Sequence, residues 1–315
     1  MTISSFSWMG MWMGLEINLL SFIPLMSSTK NSLESEASMK YFITQALAST
    51  ILLLAIISMN KTLNLNNFLF MIINSSILTK MGAAPFHFWL PEVIEGLSWI
   101  NAFILLTWQK IAPMIILMFS FKTINFLFVI IISCMLISGI QGINQISLRK
   151  ILAFSSINHM GWMISTMLSN QKIWVIYFVI YTTMTMNLIT IFNESKTFYF
   201  NQLVNLMNNQ KSTKIIFILN FVSMGGLPPF IGFLPKWMAV NALVENNFIF
   251  LPVLMIIMTL LTLYFYLRLS FPPLTLISTE KINKMKIQFY NSWIIFVNIT
   301  TLSSLTASTF ILNFS

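Results

Sequence analysis

The stretch Gly82-Ala-Ala-Pro85-Phe86-His-Phe-Trp-Leu90-Pro91 returns 144 residues later as Gly226-Leu-Pro-Pro229-Phe230-Ile-Gly-Phe-Leu234-Pro235. Both copies lie in apolar segments long enough to cross a membrane. Lys80 stands just before the first copy, and Lys236 directly follows the second. In lipid, backbone without helical hydrogen bonds and a buried ammonium group are both costly. A chain that keeps both features twice is predicted to move an ion across the membrane.

Composition places the chain in a membrane. Of its 315 residues, 57% are hydrophobic and 8% are charged, whereas a soluble domain carries about 25% charged residues. The net charge of +9 could indicate nucleic acid or an acidic partner. The basic residues are instead spread through short loops and form no basic face, as is typical of membrane proteins. We therefore predict a polytopic membrane protein with no nucleic-acid partner.

Apolar segments of roughly 20 residues mark the predicted membrane spans. About ten candidates lie near residues 5–26, 40–59, 66–85, 99–119, 124–145, 150–168, 172–193, 213–235, 249–271 and 292–314. The third and eighth should be discontinuous, because Pro removes a backbone donor and clashes with the preceding helical turn. The predicted fold is an all-α transmembrane helix bundle of about ten spans, two of them broken.

Loop charges predict the orientation of the spans. Only Lys61, Lys122 and Lys172 fall near even-numbered loops, and most other basic residues fall near odd-numbered ones. The odd loops are therefore predicted on the cytoplasmic or matrix side. The third and eighth spans are five positions apart in the series, an odd number, so they run in opposite directions. A motif repeated on antiparallel spans indicates an inverted repeat, in which sites form at broken helices near the membrane midplane.

A five-helix repeat divides the chain into three predicted parts. Residues 1–120 form a first half-channel unit that lacks its first helix. Residues 121–272 form a second, complete half-channel unit, and residues 273–315 form a loop and a C-terminal transmembrane helix. Each half-channel unit then carries one of the two broken helices.

Five ionisable side chains in the predicted spans are candidates for a proton path: Glu16, Lys80, Lys110, His159 and Lys236. Ionisable residues within a membrane are rare and usually functional, because their burial is otherwise uncompensated. The alternatives are a structural ion pair for Glu16, snorkelling for Lys110 and a hydrogen-bonded core position for His159. A shift of 144 residues from Glu16 ends beside His159. The repeat is therefore expected to pair ionisable side chains, Glu16 with His159 and Lys80 with Lys236.

A proton-transfer mechanism follows from these residue types. A Lys beside Glu16 would hold its proton while the pair is together and release it when the two separate, as one coupled unit. Water between the sites could be ordered by hydroxyl and amide side chains at Thr107, Gln109, Ser155, Ser156 and Asn158. His87, near the first break, is a weaker candidate. Glu92 and Glu95 are expected to lie solvated in a loop.

The sequence lacks the residues that several other kinds of chemistry require. The single Cys134 excludes an internal disulfide and a multi-Cys metal or iron–sulfur site. The sequence shows no phosphate-binding Gly-rich loop, no His/Cys metal spacing and no nucleophile elbow. It also shows no soluble domain in which NADH or a flavin could bind. We therefore expect no cofactor, no metal and no redox chemistry in this chain.

The longest motifs resemble those of a known family. They are the runs 12–18, 80–92, 106–113, 148–162 and 225–237. These runs closely resemble the antiporter-like subunits in the membrane arm of respiratory complex I, the NADH–ubiquinone oxidoreductase of the mitochondrial inner membrane. The similarity spans nearly the whole chain, and the style of the sequence resembles arthropod members. The lack of Asp and the abundance of Met, Ile, Asn and Phe suit an organelle-encoded gene.

The resemblance implies a proton-translocating module driven by electron transfer from NADH to ubiquinone in a distant arm of the complex. By motif, Glu16 and Lys80 match the family's Glu–Lys pair. Lys110 matches its connecting Lys, Lys236 matches the Lys on the second broken helix, and His159 matches a polar axis position. NADH, FMN, iron–sulfur clusters and ubiquinone would be bound by other subunits. The implied partners are the other membrane-arm subunits, inner-membrane lipids and protons.

Two other functions fit parts of the sequence. A freestanding cation/proton antiporter shares the inverted repeats and the buried Lys residues, and a structural subunit would keep the polar axis as a relic. The motif match and the lack of Asp, which is common at sodium sites, favour the redox-driven pump.

Animal members of this family usually carry one more helix before the Glu-bearing span. We therefore expect either a misassigned start or a lost helix, which the mass of the intact subunit distinguishes.

Lys80→Met should abolish proton transfer with little loss of assembly, because methionine retains an unbranched apolar side chain and removes only the titratable amine. Proton uptake into membrane vesicles measures transfer, and the amount of subunit in the membrane measures assembly. Normal proton pumping by this variant would contradict the assignment of Lys80.

Overall fold

A computed structural model describes residues 2–27, 31–59, 66–202, 211–228 and 230–275, and in these ranges the regular elements are α-helices. The predicted all-α class is thereby confirmed. The helices are α1 (Trp8–Met26), α2 (Ser32–Met59), α3 (Asn66–Met81), α4 (Trp89–Gly96), α5 (Trp99–Leu106), α6 (Trp108–Phe119), α7 (Ile124–Ile143), α8 (Leu148–Ser169), α9 (Gln171–Ser195), α10 (Lys211–Gly225), α11 (Phe233–Glu245) and α12 (Phe250–Thr275).

Among the described residues, six helical stretches are long and apolar enough to cross a membrane. They are Trp8–Met26, Ser32–Met59, Trp99–Phe119, Ile124–Ile143, Gln171–Ser195 and Phe250–Phe271. A shorter apolar helix covers Lys214–Gly225. The predicted tenth span, at 292–314, falls outside the described residues, and ten spans therefore stay a prediction.

The chain forms two compact units. The first comprises Met1–Ile137 and Leu152–Ile164, and the second comprises Ser138–Ile151 and Ser165–Ser315. In the first unit, α2 packs against α1, α3 and α4, and α6 packs against α3 and α5. In the second unit, α10 and α11 each pack against α9 and α12. Each unit buries its own apolar side chains, for example Ile73 in the first and Phe217 in the second.

A buried amide network holds α3 in place in the first unit. The Asn74 side-chain amide donates to the backbone carbonyl of Ser120 and to the Thr123 hydroxyl, both at 3.1 Å. The Ser120 hydroxyl donates in return to the Asn74 side-chain carbonyl. All three residues are buried, so these bonds satisfy polar groups that would otherwise be costly. The network fastens α3 to the turn that follows α6. Helix α3 carries Lys80, and helix α6 carries Lys110.

The predicted span at 99–119 is interrupted at Thr107, which the sequence prediction missed. Helix α5 ends at Leu106, Thr107 has φ −117° and ψ −73°, and α6 begins at Trp108. The Thr107 hydroxyl donates to the Phe103 carbonyl at 2.7 Å, a bond that competes with regular helical pairing. Pro113, inside α6, also removes one backbone donor. The interruption therefore falls just before the turn that carries Lys110.

Glu92 and Glu95 lie in helix α4, so the prediction that they occupy a loop was wrong. The Lys40 ammonium lies 3.0 Å from a Glu92 carboxylate oxygen and 2.9 Å from one of Glu36. These side chains are largely exposed, so the pairs contribute little to stability. The Lys40–Glu92 pair does connect the surface of α4 with that of α2, against which α4 packs.

Asn74→Leu should lower the free energy of unfolding by about 1–3 kcal/mol, because it leaves the buried groups at Ser120 and Thr123 without their partner. Thermal unfolding of the purified membrane protein measures the change. Ser75→Ala is the matched control, since the Ser75 hydroxyl donates only to Ile72 one turn earlier in α3. Equal unfolding temperatures for the two variants would contradict the role given to the network.

Candidate functional site

Glu16 and Lys80 form an ion pair in the first unit. The Lys80 ammonium nitrogen lies 3.8 Å from a Glu16 carboxylate oxygen. The Lys80 side chain is 4% exposed and that of Glu16 is 25% exposed. Glu16 lies in the middle of α1, and Lys80 lies in the last turn of α3. The amine is thus withdrawn into the protein, while the carboxylate keeps partial access to its surface.

Helix α3 ends one residue after Lys80 in a tight glycine turn. Gly82 has φ +72°, a conformation that glycine adopts without a steric penalty. Its N–H donates to the Thr79 carbonyl at 3.1 Å, and the Ala83 N–H donates to the Leu78 carbonyl at 3.0 Å. This pair of bonds is the Schellman ending of a helix, which satisfies two of its last carbonyl groups.

Neutral side chains supply further donors at the end of α3. The Trp89 indole N–H donates to the Thr79 carbonyl at 2.9 Å, and the Gln45 amide donates to the Lys80 carbonyl at 3.4 Å. Trp89 opens α4 and Gln45 lies in α2. The end of α3 is therefore held by groups that carry no charge, and the Lys80 ammonium is directed to Glu16 instead.

Lys236 lies against the end of α10 in the second unit. Its ammonium nitrogen donates to the Gly225 carbonyl at 2.8 Å and to the Met224 carbonyl at 3.5 Å. Gly226, with φ +77°, turns the chain at this point, and its N–H donates to the Ser223 carbonyl at 2.9 Å. The carbonyl end of a helix carries partial negative charge, which stabilises a cation placed there.

The two lysines take different positions relative to the repeated motif. Lys80 lies in the helix before its glycine turn, whereas Lys236 lies in α11, after its glycine turn. In the register of the repeat, Met224 corresponds to Lys80, and Glu92 corresponds to Lys236. Each helix break therefore has a lysine beside it. Lys80 precedes its glycine turn and faces a carboxylate, whereas Lys236 follows its glycine turn and faces backbone carbonyls.

Lys110 and His159 are both buried, with 2% and 1% of their surfaces exposed. The position of Lys110 in the interior argues against snorkelling. Cys134 is also fully buried, on α7 in the same compact unit. Gly161, two residues after His159 on α8, packs so closely that an added Cβ would lie 3.3 Å from the Cβ of Cys134. Helices α7 and α8 are therefore in close contact at the turn that follows His159.

An amide pair joins the helix of Glu16 to the helix of Lys110. The Asn18 side-chain amide donates to the Gln109 side-chain carbonyl at 2.6 Å. Both residues line an open cavity of about 340 Å³, together with Ser21 and Thr107. Gln109 was predicted to order water, and its carbonyl oxygen is engaged with Asn18. Asn18 was not among the predicted candidates, although it stands two residues after Glu16 in the same motif.

The predicted water-ordering hydroxyl groups donate to their own helices. Ser155 donates to the Leu152 carbonyl and Ser156 to the Ala153 carbonyl, both at 2.7 Å. Thr107 does the same with Phe103. A hydroxyl has one donor and two acceptor lone pairs, so each of these oxygens can still accept a bond from water. They are therefore oriented acceptors rather than freely rotating donors.

The chemistry that these residues can perform is proton exchange. Within the described ranges, no group of three or more His, Cys, Asp or Glu side chains could hold a metal ion. What these residues do offer is one carboxylate, one imidazole and three amines, four of them almost fully buried. The amines of Lys80 and Lys236 each face a specific acceptor, a carboxylate in one case and backbone carbonyls in the other.

The sequence is similar to a described family and to mitochondrial proteins. The profile of the family NADH:quinone oxidoreductase/Mrp antiporter, TM matches residues 5–262. The NADH-ubiquinone oxidoreductase chain 2 of Anopheles gambiae is 53% identical over 276 residues, which cover 86% of this chain and 81% of the relative. The protein of the same name from Bos taurus is 40% identical over 297 residues, which cover 90% and 84% of the two chains.

The fold is similar to that of subunits in solved membrane complexes. A chain of respiratory complex I from Thermus thermophilus superimposes with a TM-score of 0.86 at 20% identity, covering 99% of this chain and 76% of that one. A chain of the Mrp complex from Dietzia sp. gives a TM-score of 0.70 at 18% identity, covering 83% and 55%. At these identities the likeness concerns the fold alone.

Glu16→Gln should lower the unfolding temperature more than Lys80→Met does. The first change leaves the Lys80 amine, which is 4% exposed, without a counter-charge, whereas the second leaves the Glu16 carboxylate, which is less enclosed at 25% exposed, without its partner. Thermal unfolding of the two single variants and of the double variant measures the difference and the coupling between the residues. A larger loss for Lys80→Met, or strictly additive losses, would contradict the pairing.

Proposed function

Since the chain belongs to the NADH:quinone oxidoreductase/Mrp antiporter transmembrane family, we propose that its buried Glu, Lys and His side chains carry protons across the membrane. The chain is a multi-pass subunit of NADH–ubiquinone oxidoreductase in the mitochondrial inner membrane, as its insect and bovine relatives are named. Electron transfer from NADH to ubiquinone in this enzyme then drives proton movement through the chain.

The pairing of Glu16 with Lys80 is the observation that carries the proposal. At 3.8 Å the charges stabilise each other without a short hydrogen bond to hold them together. A small increase in the distance would leave the buried Lys80 ammonium uncompensated and favour loss of its proton. Proton binding and release would therefore follow the movement of α1 against α3.

Lys110 and His159 continue the proposed path within the first unit. Both side chains are buried within the same compact unit. Ser155 and Ser156, on the α8 turn before His159, present hydroxyl oxygens whose protons are already donated to the helix. Water held by these oxygens would connect the imidazole with the Lys110 amine.

Lys236 is the proposed proton carrier of the second unit. Its ammonium is compensated by the carbonyl end of α10 rather than by a carboxylate. We propose that α3 with α4 and α10 with α11 act as the two broken helices of inverted, antiporter-like repeats. The half-channel units would then be residues 1–120 and 121–272, followed by a loop and a C-terminal span at 273–315.

Cofactors and partners follow from the same assignment. NADH, FMN, iron–sulfur clusters and ubiquinone would be bound by other subunits of the enzyme. The chain would contact the other membrane-arm subunits and inner-membrane lipids, and protons would be its only transported species. The solved structures with this fold come from multi-subunit respiratory or antiporter complexes, in agreement with a role inside an assembly.

A freestanding cation/proton antiporter is the second candidate. The matched family includes the Mrp antiporters, and a chain of an Mrp complex shares the fold. The identities of 53% and 40% to oxidoreductase subunits over most of the chain favour the redox-driven pump. Cation-driven proton movement by the isolated chain in liposomes would favour the antiporter.

Lys236→Met should strongly lower the number of protons moved per NADH oxidised while the complex still assembles, because only the amine at the end of α10 is lost. Native gel electrophoresis with NADH dehydrogenase staining shows assembly, and acidification of inner-membrane vesicles shows proton movement. Lys172→Met, at an exposed position that opens α9, is the matched control. The proposal fails if Lys236→Met moves protons as the control does, or if the chain runs outside the NADH-oxidising band.

A further inference from the structure

We infer that Gly226 is a positioning residue for Lys236, because the missing side chain leaves the space in which the Lys236 amine reaches the end of α10. The inference rests on the proposed proton-carrying role of Lys236. The turn itself already favours glycine at this position, where φ is +77°. The contact with Lys236 would be a second reason for glycine there.

The space around Gly226 is filled by the lysine side chain. A Cβ built on Gly226 would lie 2.7 Å from Cδ, 2.9 Å from Nζ and 3.0 Å from Cε of Lys236. These distances are at or below the shortest that Cβ atoms show in proteins. All three neighbouring atoms belong to the flexible end of the lysine. A methyl group at position 226 would therefore displace the end of the lysine side chain, in addition to the strain that the positive φ imposes on any residue with a Cβ.

Displacement of the amine would remove its counter-charge. The Lys236 nitrogen lies 2.8 Å from the Gly225 carbonyl oxygen and 3.5 Å from that of Met224. A shift of a few tenths of an ångström weakens the first bond and breaks the second, because hydrogen bonds weaken beyond about 3.2 Å. The charged form of a buried amine depends on such partners. Gly226 would thus control the protonation of Lys236 through its position.

The corresponding glycine of the first repeat has a different neighbourhood. Gly82 has nearly the same conformation, with φ +72°. A Cβ on Gly82 would lie 3.1 Å from Cβ of Leu90 and 3.2 Å from the Trp89 ring, and no Lys80 atom is among its three nearest neighbours. The backbone requirement is therefore shared by the two glycines, and the contact with a lysine amine distinguishes Gly226. This makes Gly82→Ala a matched control for backbone strain.

The test compares Gly226→Ala, Gly82→Ala, Lys236→Met and the double variant Gly226→Ala/Lys236→Met in the assembled complex. Protons moved per NADH oxidised and the amount of complex on a native gel are measured for each. We expect Gly226→Ala to lose most of the proton movement that Lys236→Met loses. We expect the double variant to lose no more than Lys236→Met alone, because both changes act on the same amine. Gly82→Ala should reduce assembly. When it is combined with Lys236→Met, the losses of proton movement from the two changes should add.

Gly226→Asn keeps the test decisive if the alanine variant does not assemble. Asparagine tolerates a positive φ better than alanine but still carries a Cβ, so it separates backbone strain from contact with Lys236. Normal proton movement in an assembled Gly226→Ala or Gly226→Asn complex would overturn the inference, as would a loss that adds fully to that of Lys236→Met. If Lys236→Met itself moved protons normally, the proposed function would fail first, which distinguishes the two failures.

Discussion

Every feature of the candidate site depends on the cost of holding an ammonium group away from water. In a membrane interior this cost is reduced by a nearby negative charge, by aligned backbone dipoles or by water in a cavity. The chain uses the first two solutions, a carboxylate for Lys80 and the end of a helix for Lys236. A helix end inside an apolar segment exists only where the helix is interrupted, so the glycine turns and the lysines depend on each other.

The two interruptions resemble each other in backbone and differ in charge. Both α3 and α10 end at a glycine with φ between +72° and +77°. At α3 the freed carbonyls accept from Trp89 and Gln45, which are neutral, and at α10 they accept from Lys236. In the proposed function, one backbone design would thus provide two proton sites whose counter-charges respond to different movements. Separation of helices would affect Lys80, and a local change at the glycine turn would affect Lys236.

Sequence reasoning identified the features that depend on composition and local pattern. The all-α class, the repeated motif and the buried Lys80, Lys110 and Lys236 follow from hydrophobic length, from Gly and Pro positions and from the rarity of charge. It missed features that arise from contacts between distant segments. The Asn74 network and the Asn18–Gln109 bond join residues 46 and 91 positions apart. The break at Thr107 was missed although the bond from Thr107 to Phe103 is local, whereas the helix around Glu92 packs against α2, a segment distant in the sequence.

The most direct test of the central claim is the hydration of the buried amines in the assembled, membrane-embedded enzyme. An electron cryomicroscopy map that resolves ordered water throughout the membrane arm would provide it. We expect water within hydrogen-bonding distance of the side-chain nitrogens of Lys80, Lys110 and Lys236, since proton exchange needs such contacts. If the same map shows these amines enclosed by carbon and protein carbonyls alone, while water is visible elsewhere at that depth, they do not carry protons.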